Sequence, residues 1–196
     1  GDSVDSASGY LVTSSKALAN RIHDQVSLMT DTLTKASFKE TDRIKELISQ
    51  MRARRDQSIS GAGHSLAMTA ASAGMSALAT LYHSQSGLAG IASLRALDNS
   101  LSDATALSEL SAELSSLRDV LIMSPSVSLL TVSDPQSLEQ ASNALVNAGS
   151  ILTSDIETTL WTPGAKHEQT NQIWVANTQV NFCAKAFPTV SSGHPD

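Results

Sequence analysis

The residues closest to a catalytic motif are 167–171, which read HEQTN. A zinc-peptidase motif of the form H-E-x-x-H needs two imidazoles one helical turn apart and a glutamate that activates water. Position 171 is Asn instead, and the surrounding residues show no helical periodicity. The inverted motif, H-x-x-E-H, occurs nowhere in the sequence. The sequence therefore predicts no metal ligands in this chain and no cofactor bound to it.

Other reactive groups are present without the spacing that catalysis requires. No G-x-S-x-G elbow occurs, so a Ser–His–Asp triad has no support. Cys183 lies in an alternating segment, which predicts a small buried side chain rather than a nucleophile. The stretch Gly61 to His64 lacks the lysine and extra glycines of a phosphate-binding loop, so we expect its glycines to loosen a helix junction. We predict no catalytic residues, and substrate-binding residues stay unknown.

Composition sets broad limits on the chain. Its 196 residues are 41% hydrophobic and 16% charged, which is enough to bury a core in one large domain. The net charge of −6 predicts no nucleic-acid binding, and a single cysteine excludes an internal disulfide. The chain reads as a segment of a longer protein. The absence of a leader peptide therefore leaves its compartment unknown, with bacterial cytoplasm and periplasm both open.

Charge is unevenly distributed along the sequence. Residues 39–55 are rich in bases, whereas acids predominate from residue 98 to residue 157. A basic surface that attracts acidic groups is one interpretation. Solvated helix faces are favoured, because Glu40, Asp42 and Glu46 lie at helical spacing from the bases.

Residues 57–94 contain no Lys, Arg, Asp or Glu. Their large aliphatic residues are too few for a transmembrane helix, which needs about twenty strongly apolar residues. Small residues allow backbones to approach closely, so we expect a helix packed between neighbours and no membrane span.

Periodic apolar residues predict five further elements of helix. One follows a cap at Ser14 or Ser15, a second opens at Ser37 with a capping box to Glu40, and a third is centred on residues 88–97. Leu107 to Leu121 repeat at three and four, and Asp134-Pro135 should open a helix that stops at Gly149. Three segments read as strands: residues 10–13, 127–133 and 173–184.

These elements predict an α+β fold, in which a helix-rich layer packs on a small, mainly antiparallel sheet. The predicted organisation is a helix-rich unit at residues 1–149, a connector at 150–171, and the first strand of a following unit at 172–196. An exposed alternating strand offers an open edge. We therefore also predict a possible homodimer through residues 172–196.

Three stretches together resemble the pitrilysin/insulinase class of zinc metallopeptidases, in particular the presequence-protease branch and its bacterial relatives. They are FKETDRIKELISQMRARRDQSISGAGHSLAM at 38–68, SGLAGIASLRALDNSLSD at 86–103, and VNFCAKAFPTVSSGHPD at 180–196. The resemblance lies in the order and texture of these stretches rather than in a metal signature.

The resemblance implies a clamshell of related α+β units around a chamber that degrades peptides, with zinc bound by an H-x-x-E-H motif in another unit. This chain would then be a non-catalytic peptidase domain in the chamber wall. Its partners would be the other domains of its parent and the parent's peptide substrates, and the parent, not this segment, would be the enzyme and bind zinc. The alternative is a stand-alone helical protein-interaction module.

Overall fold

A computed structural model of the chain describes residues 10–122, 127–150, 171–177 and 179–189. The ordered elements of these ranges are a short 3₁₀ helix, Ala19–Arg21, and six α-helices. The α-helices are α1 (Ile22–Lys35), α2 (Thr41–Ser72), α3 (Ala77–Gln85), α4 (Leu88–Ser100), α5 (Ala104–Ile122) and α6 (Leu138–Gly149). No described helix is both long and apolar enough to cross a membrane.

The chain divides into two compact units. The first contains Asp42–Ala106 and the described residues from 171 to 189. The second contains Tyr10–Thr41 and the described residues from 107 to 150. Nearly all of the predicted connector at 150–171, including the HEQT of the near-motif, lies outside the described residues. The predicted domain boundaries stay a prediction.

The uncharged run forms the packed part of the first unit. It spans the end of α2, all of α3 and the start of α4, and α3 packs against α4. Three of its alanines are at most 6% exposed: Ala70, Ala73 and Ala77. Small residues of the run are buried as expected, but the predicted single helix packed between neighbours is wrong, because the run contributes to three helices and keeps an exposed side.

Two backbone features divide this run. Ala62 has non-helical angles (φ −116°, ψ 17°) inside α2, so the glycines around it mark a kink, as the sequence predicted. Gly74 has φ 88° in the turn after α2. This left-handed conformation is open to glycine at little cost, and it lets α2 end and α3 begin a few residues later. Ser76 then caps α3 by accepting a hydrogen bond from the Ala79 N–H (3.1 Å).

The core of the second unit lies where α1 packs against α6. Ile22, Ala141 and Ala144 are buried there, and Val26 packs against them. Small alanines on α6 let the larger side chains of α1 approach its backbone. Ile22 and Val26 lie four residues apart and so share one face of α1.

The loop between α1 and α2 is held by α5. The Ser111 hydroxyl donates a hydrogen bond to the Phe38 carbonyl (2.6 Å), and the Arg118 guanidinium donates one to the Ala36 carbonyl. Ala36 caps the C-terminus of α1, where carbonyl groups lack partners within the helix. A side chain from α5 therefore satisfies the end of α1.

The predicted α+β fold is wrong, because the described residues contain helices and no strand or sheet. The described residues of the three predicted strands belong to neither a helix nor a sheet. A strand needs the backbone of a neighbour for its hydrogen bonds, whereas two of these segments place side chains on helix glycines instead. Leu129 lies against Gly149 of α6, and Phe182 lies against Gly63 of α2.

Three predicted helix starts also differ from the structure. The predicted cap at Ser14 or Ser15 is wrong, because residues 10–18 are not helical and α1 begins at Ile22, after the 3₁₀ helix. The capping box at Ser37 does not form, and α2 begins at Thr41. Asp134 does accept hydrogen bonds from the N–H groups of Gln136 and Ser137 (3.0 Å each), but Pro135 and the next two residues form a turn and α6 begins at Leu138. The predicted end at Gly149 is confirmed.

Candidate functional site

The C-terminal segment, defined as the described residues from 171 to 189, lies on the helices of the first unit. Its side chains alternate in exposure where the chain is extended: Ile173 is 95% exposed, Trp174 41% and Val175 94%. A period of two is the pattern of an extended chain with one covered face. The predicted strand with one buried face is wrong, because the described part of this segment belongs to no strand or sheet; a helix surface partly covers its less exposed side chains instead.

His83 of α3 forms the first contact with this segment. The Trp174 and His83 rings meet edge to face, with 5.7 Å between centroids and an interplanar angle of 78°. The Trp174 indole N–H donates to the Gln172 side-chain oxygen (2.7 Å), so the indole finds its polar partner within the segment itself. At this contact the helix surface offers Trp174 an aromatic ring.

His83 is a buried polar residue, at 7% exposure. Its Nδ1 has no hydrogen-bond partner within the described part of the chain and lies 2.7 Å from the position that a Cβ on Gly87 would take. Burial lowers the pKa of His83, because a charged imidazolium would lose its hydration there. The neutral ring is thus held by packing against its neighbours.

An open pocket of about 490 Å³ adjoins this contact. It is lined by His83 and Ala89 from the helices and by Gln172, Ile173 and Trp174 from the C-terminal segment. None of these residues carries a charge when His83 is neutral. The pocket is suited to an uncharged aromatic or aliphatic group rather than to an ion.

Gly63 of α2 forms the second contact. A Cβ at this position would lie closer than 3.0 Å to three atoms of the Phe182 ring, well inside contact distance. Gly63 therefore opens a slot that receives the ring. Gly61, two residues earlier in the same helix, has nothing within 4 Å of the equivalent position. The absence of a side chain thus matters at Gly63 and not at Gly61.

Polar side chains join α2 to α4 elsewhere in the first unit. Arg52 donates to Asp98 (2.8 Å) and to the Asn99 side chain (2.8 Å), while Ser49 donates to the other Asp98 oxygen (2.6 Å). Arg95 of α4 pairs with Asp56 of α2 (2.8 Å). We call these side chains the α2–α4 polar clamp.

The clamp is the most covered ion-pair network of the described residues. The Asp98 side chain is 13% exposed, and Arg52 is 34% exposed. Hydrogen bonds from Ser49 and Arg52 lower the pKa of Asp98, because both favour the ionised carboxylate. The charged groups of the clamp already pair with one another. The clamp therefore positions the helices, and little of its positive charge is free to bind an external anion.

Other side chains that could take part in catalysis are His23, His64 and Cys183. His23 and His64 are exposed, on α1 and α2. Cys183 is also exposed, so its predicted burial is wrong: it falls on the uncovered side of the C-terminal segment, next to Phe182. Among the described residues, no three His, Cys, Asp or Glu side chains lie together as metal ligands would.

Sequence reasoning missed two features of this unit. The bases of residues 39–55 were expected to pair with acids at helical spacing. The shortest charge contact of Arg52, one of these bases, is instead with Asp98, 46 residues away. The Gly63 slot carries no signal beyond a glycine within a helical pattern, which can mark close packing. Both depend on contacts that are distant in sequence.

One family model matches the N-terminal half of the chain. Residues 1–97 match the model of a peptidase-associated family, described as associated with peptidases of family M16, subfamily C. The matched range includes α1, α2, α3 and most of α4, and so both His83 and Gly63. It supports an association with the M16, or pitrilysin-type, peptidases, as the sequence resemblance indicated. No curated protein and no solved structure matches the chain.

Proposed function

We propose that this chain is a non-catalytic part of an M16-type zinc metallopeptidase, of the presequence-protease branch, and helps to form the wall of its peptide-degrading chamber. The observation that carries the proposal is the match of residues 1–97 to the peptidase-associated family. The sequence contains neither H-E-x-x-H nor H-x-x-E-H. Zinc and the water-activating glutamate would therefore come from another part of the parent protein.

The helical architecture supports a positioning role in this proposal. Small buried residues, the polar clamp and the α1–α6 core fix helices against one another, which suits a rigid wall. The parent's other domains are the proposed partners, and its peptide substrates would contact surfaces of the first unit.

The alternative function is a stand-alone helical interaction module. The observation that favours it is that the described residues contain helices and no strand. The C-terminal alternating segment was the main feature that such a module left unexplained. Since that segment lies on helices rather than in a sheet, the feature no longer separates the two proposals.

Metal content and cleavage of the isolated chain and its full-length parent distinguish these functions. Zinc would be measured by mass spectrometry, and cleavage with a quenched peptide, with and without a chelator. We expect the parent to hold zinc and cleave in a chelator-sensitive way, and the isolated chain to do neither. A parent variant with Gln for the motif glutamate is the matched control and should retain zinc without cleaving.

Two outcomes would contradict the proposal. Stoichiometric zinc with chelator-sensitive cleavage by the isolated chain would show that it is itself catalytic. A parent without a zinc motif and without peptidase activity would favour the interaction module.

A further inference from the structure

We propose that the first unit has a docking surface for extended peptides with aromatic side chains, and that the C-terminal segment occupies it as a tethered ligand. The surface, named the aromatic docking surface, consists of the Gly63 slot on α2 and the helix surface formed by His83 of α3 and Ala89 of α4. Its role toward peptide substrates rests on the proposed function, whereas binding itself does not.

The seated segment identifies the chemistry of the ligand. Phe182 fills a slot that any side chain at position 63 would close. Trp174 presents its ring to an uncharged histidine and brings its own hydrogen-bond partner, Gln172. The two contacts thus recognise aromatic rings. Aromatic rings supply large contact area with few rotatable bonds, which suits them as anchors.

Occupation of this surface is incomplete. Trp174 remains 41% exposed and Phe182 37% exposed, and the open pocket of about 490 Å³ adjoins the Trp174 contact. A covalent tether supplies an effective concentration of about millimolar order, so a weakly held segment can still fill the surface. A free aromatic peptide should therefore bind once the aromatic side chains of the tethered segment are removed.

The first experiment measures binding in trans to the full chain. A fluorescent peptide with the sequence of residues 171–189, carrying Ser in place of Cys183, is titrated by anisotropy. We expect binding to the folded variant W174A/F182A and at least about tenfold weaker binding to the unaltered chain, whose own segment competes. A peptide lacking both aromatic rings is the control ligand and should not bind.

Gly63→Ala and Gly61→Ala form a matched pair of substitutions. Each replaces glycine by alanine in α2, but only the first obstructs the slot. In the W174A/F182A background, Gly63→Ala should weaken peptide binding about tenfold, which corresponds to the loss of one anchor contact. Gly61→Ala should leave it unchanged. Equal binding by the two variants, no binding to the folded W174A/F182A variant, or equal binding to that variant and the unaltered chain would overturn the proposal.

A second measurement applies even if the double variant fails to fold. In the otherwise unaltered chain, Gly63→Ala should displace Phe182 and speed tryptic cleavage after Lys185, whereas Gly61→Ala should not. Equal cleavage rates would overturn the proposal. Light scattering tests whether a second copy is the occupant: a dimer that Gly63→Ala dissociates would show that the segment docks in trans between copies and would overturn the tethered assignment.

Failure of this proposal differs from failure of the proposed function. Peptide anisotropy and Lys185 cleavage depend on neither zinc nor catalysis. A zinc-free parent with an intact docking surface would contradict only the peptidase role. An active zinc peptidase whose Gly63→Ala and Gly61→Ala variants behave alike would contradict only the docking surface.

Discussion

Replacing Ala77 by leucine should overpack the buried surroundings of the first residue of α3. Ala77 is the first residue of α3 and is 3% exposed, so its methyl group already has neighbours on nearly every side. Leucine adds three heavy atoms. With free space, each buried methylene would stabilise the fold by about 0.8 kcal/mol. Without that space, the neighbours must move, and we expect a net loss of about 1–3 kcal/mol in the free energy of unfolding.

Ala104 offers a matched control for this substitution. It is the first residue of α5, lies in the same unit and is exposed. Alanine and leucine differ little in helix propensity, so Ala104→Leu should leave stability nearly unchanged.

Urea denaturation followed by circular dichroism at 222 nm measures both effects. A lower midpoint with an unchanged slope for Ala77→Leu would indicate reduced stability rather than a changed unfolded state. If Ala77→Leu and Ala104→Leu gave the same free energy of unfolding, the close packing around Ala77 would be refuted.

Three other predictions concern titratable groups. Because burial lowers the pKa of His83, its unfolded form binds more protons near pH 6, so stability should be constant above about pH 6.5 and fall below it. Urea melts at pH 7.5 and 5.5 should show that fall in the unaltered chain and in His64→Gln, but a smaller one in His83→Gln; an equal fall in all three would contradict the burial of His83. The pKa of Asp98 is lowered, so its interactions stabilise the fold only while the carboxylate is ionised. Asp98→Asn should therefore lower stability at pH 7, and it should remove the loss of stability that the unaltered chain shows as the pH drops below about 3.8. Asp24→Asn, in an exposed pair with Arg21, should change little, and equal melting of these two variants would exclude a stabilising clamp. Asp134→Ala should lower the melting temperature while Asp134→Asn largely preserves it, since asparagine also accepts hydrogen bonds from the N–H groups of the turn before α6. Identical melting of the two variants would rule out a stabilising role of these hydrogen bonds.

The sequence determined the helices of this protein better than any other feature. The three-and-four spacing of apolar residues predicted α4 and α5 to within a few residues, and Gly149 marked the end of α6. Helical periodicity is local, since it reports side chains that share one face within a few turns. The helix starts were less well predicted, because a capping sequence such as Ser37 to Glu40 competes with the packing of the loop on α5.

The tertiary structure decided what covers each face. An alternating sequence such as that of residues 173–184 predicts an extended chain whether its covered face meets a sheet or a helix, and it does not contain the partner. The partner was set by Gly63 and His83, about a hundred residues earlier, which accept Phe182 and Trp174 on a helix surface. The pairing of Arg52 with Asp98 has the same origin. Local spacing fixes backbone conformation, whereas distant contacts choose between alternatives of similar local energy.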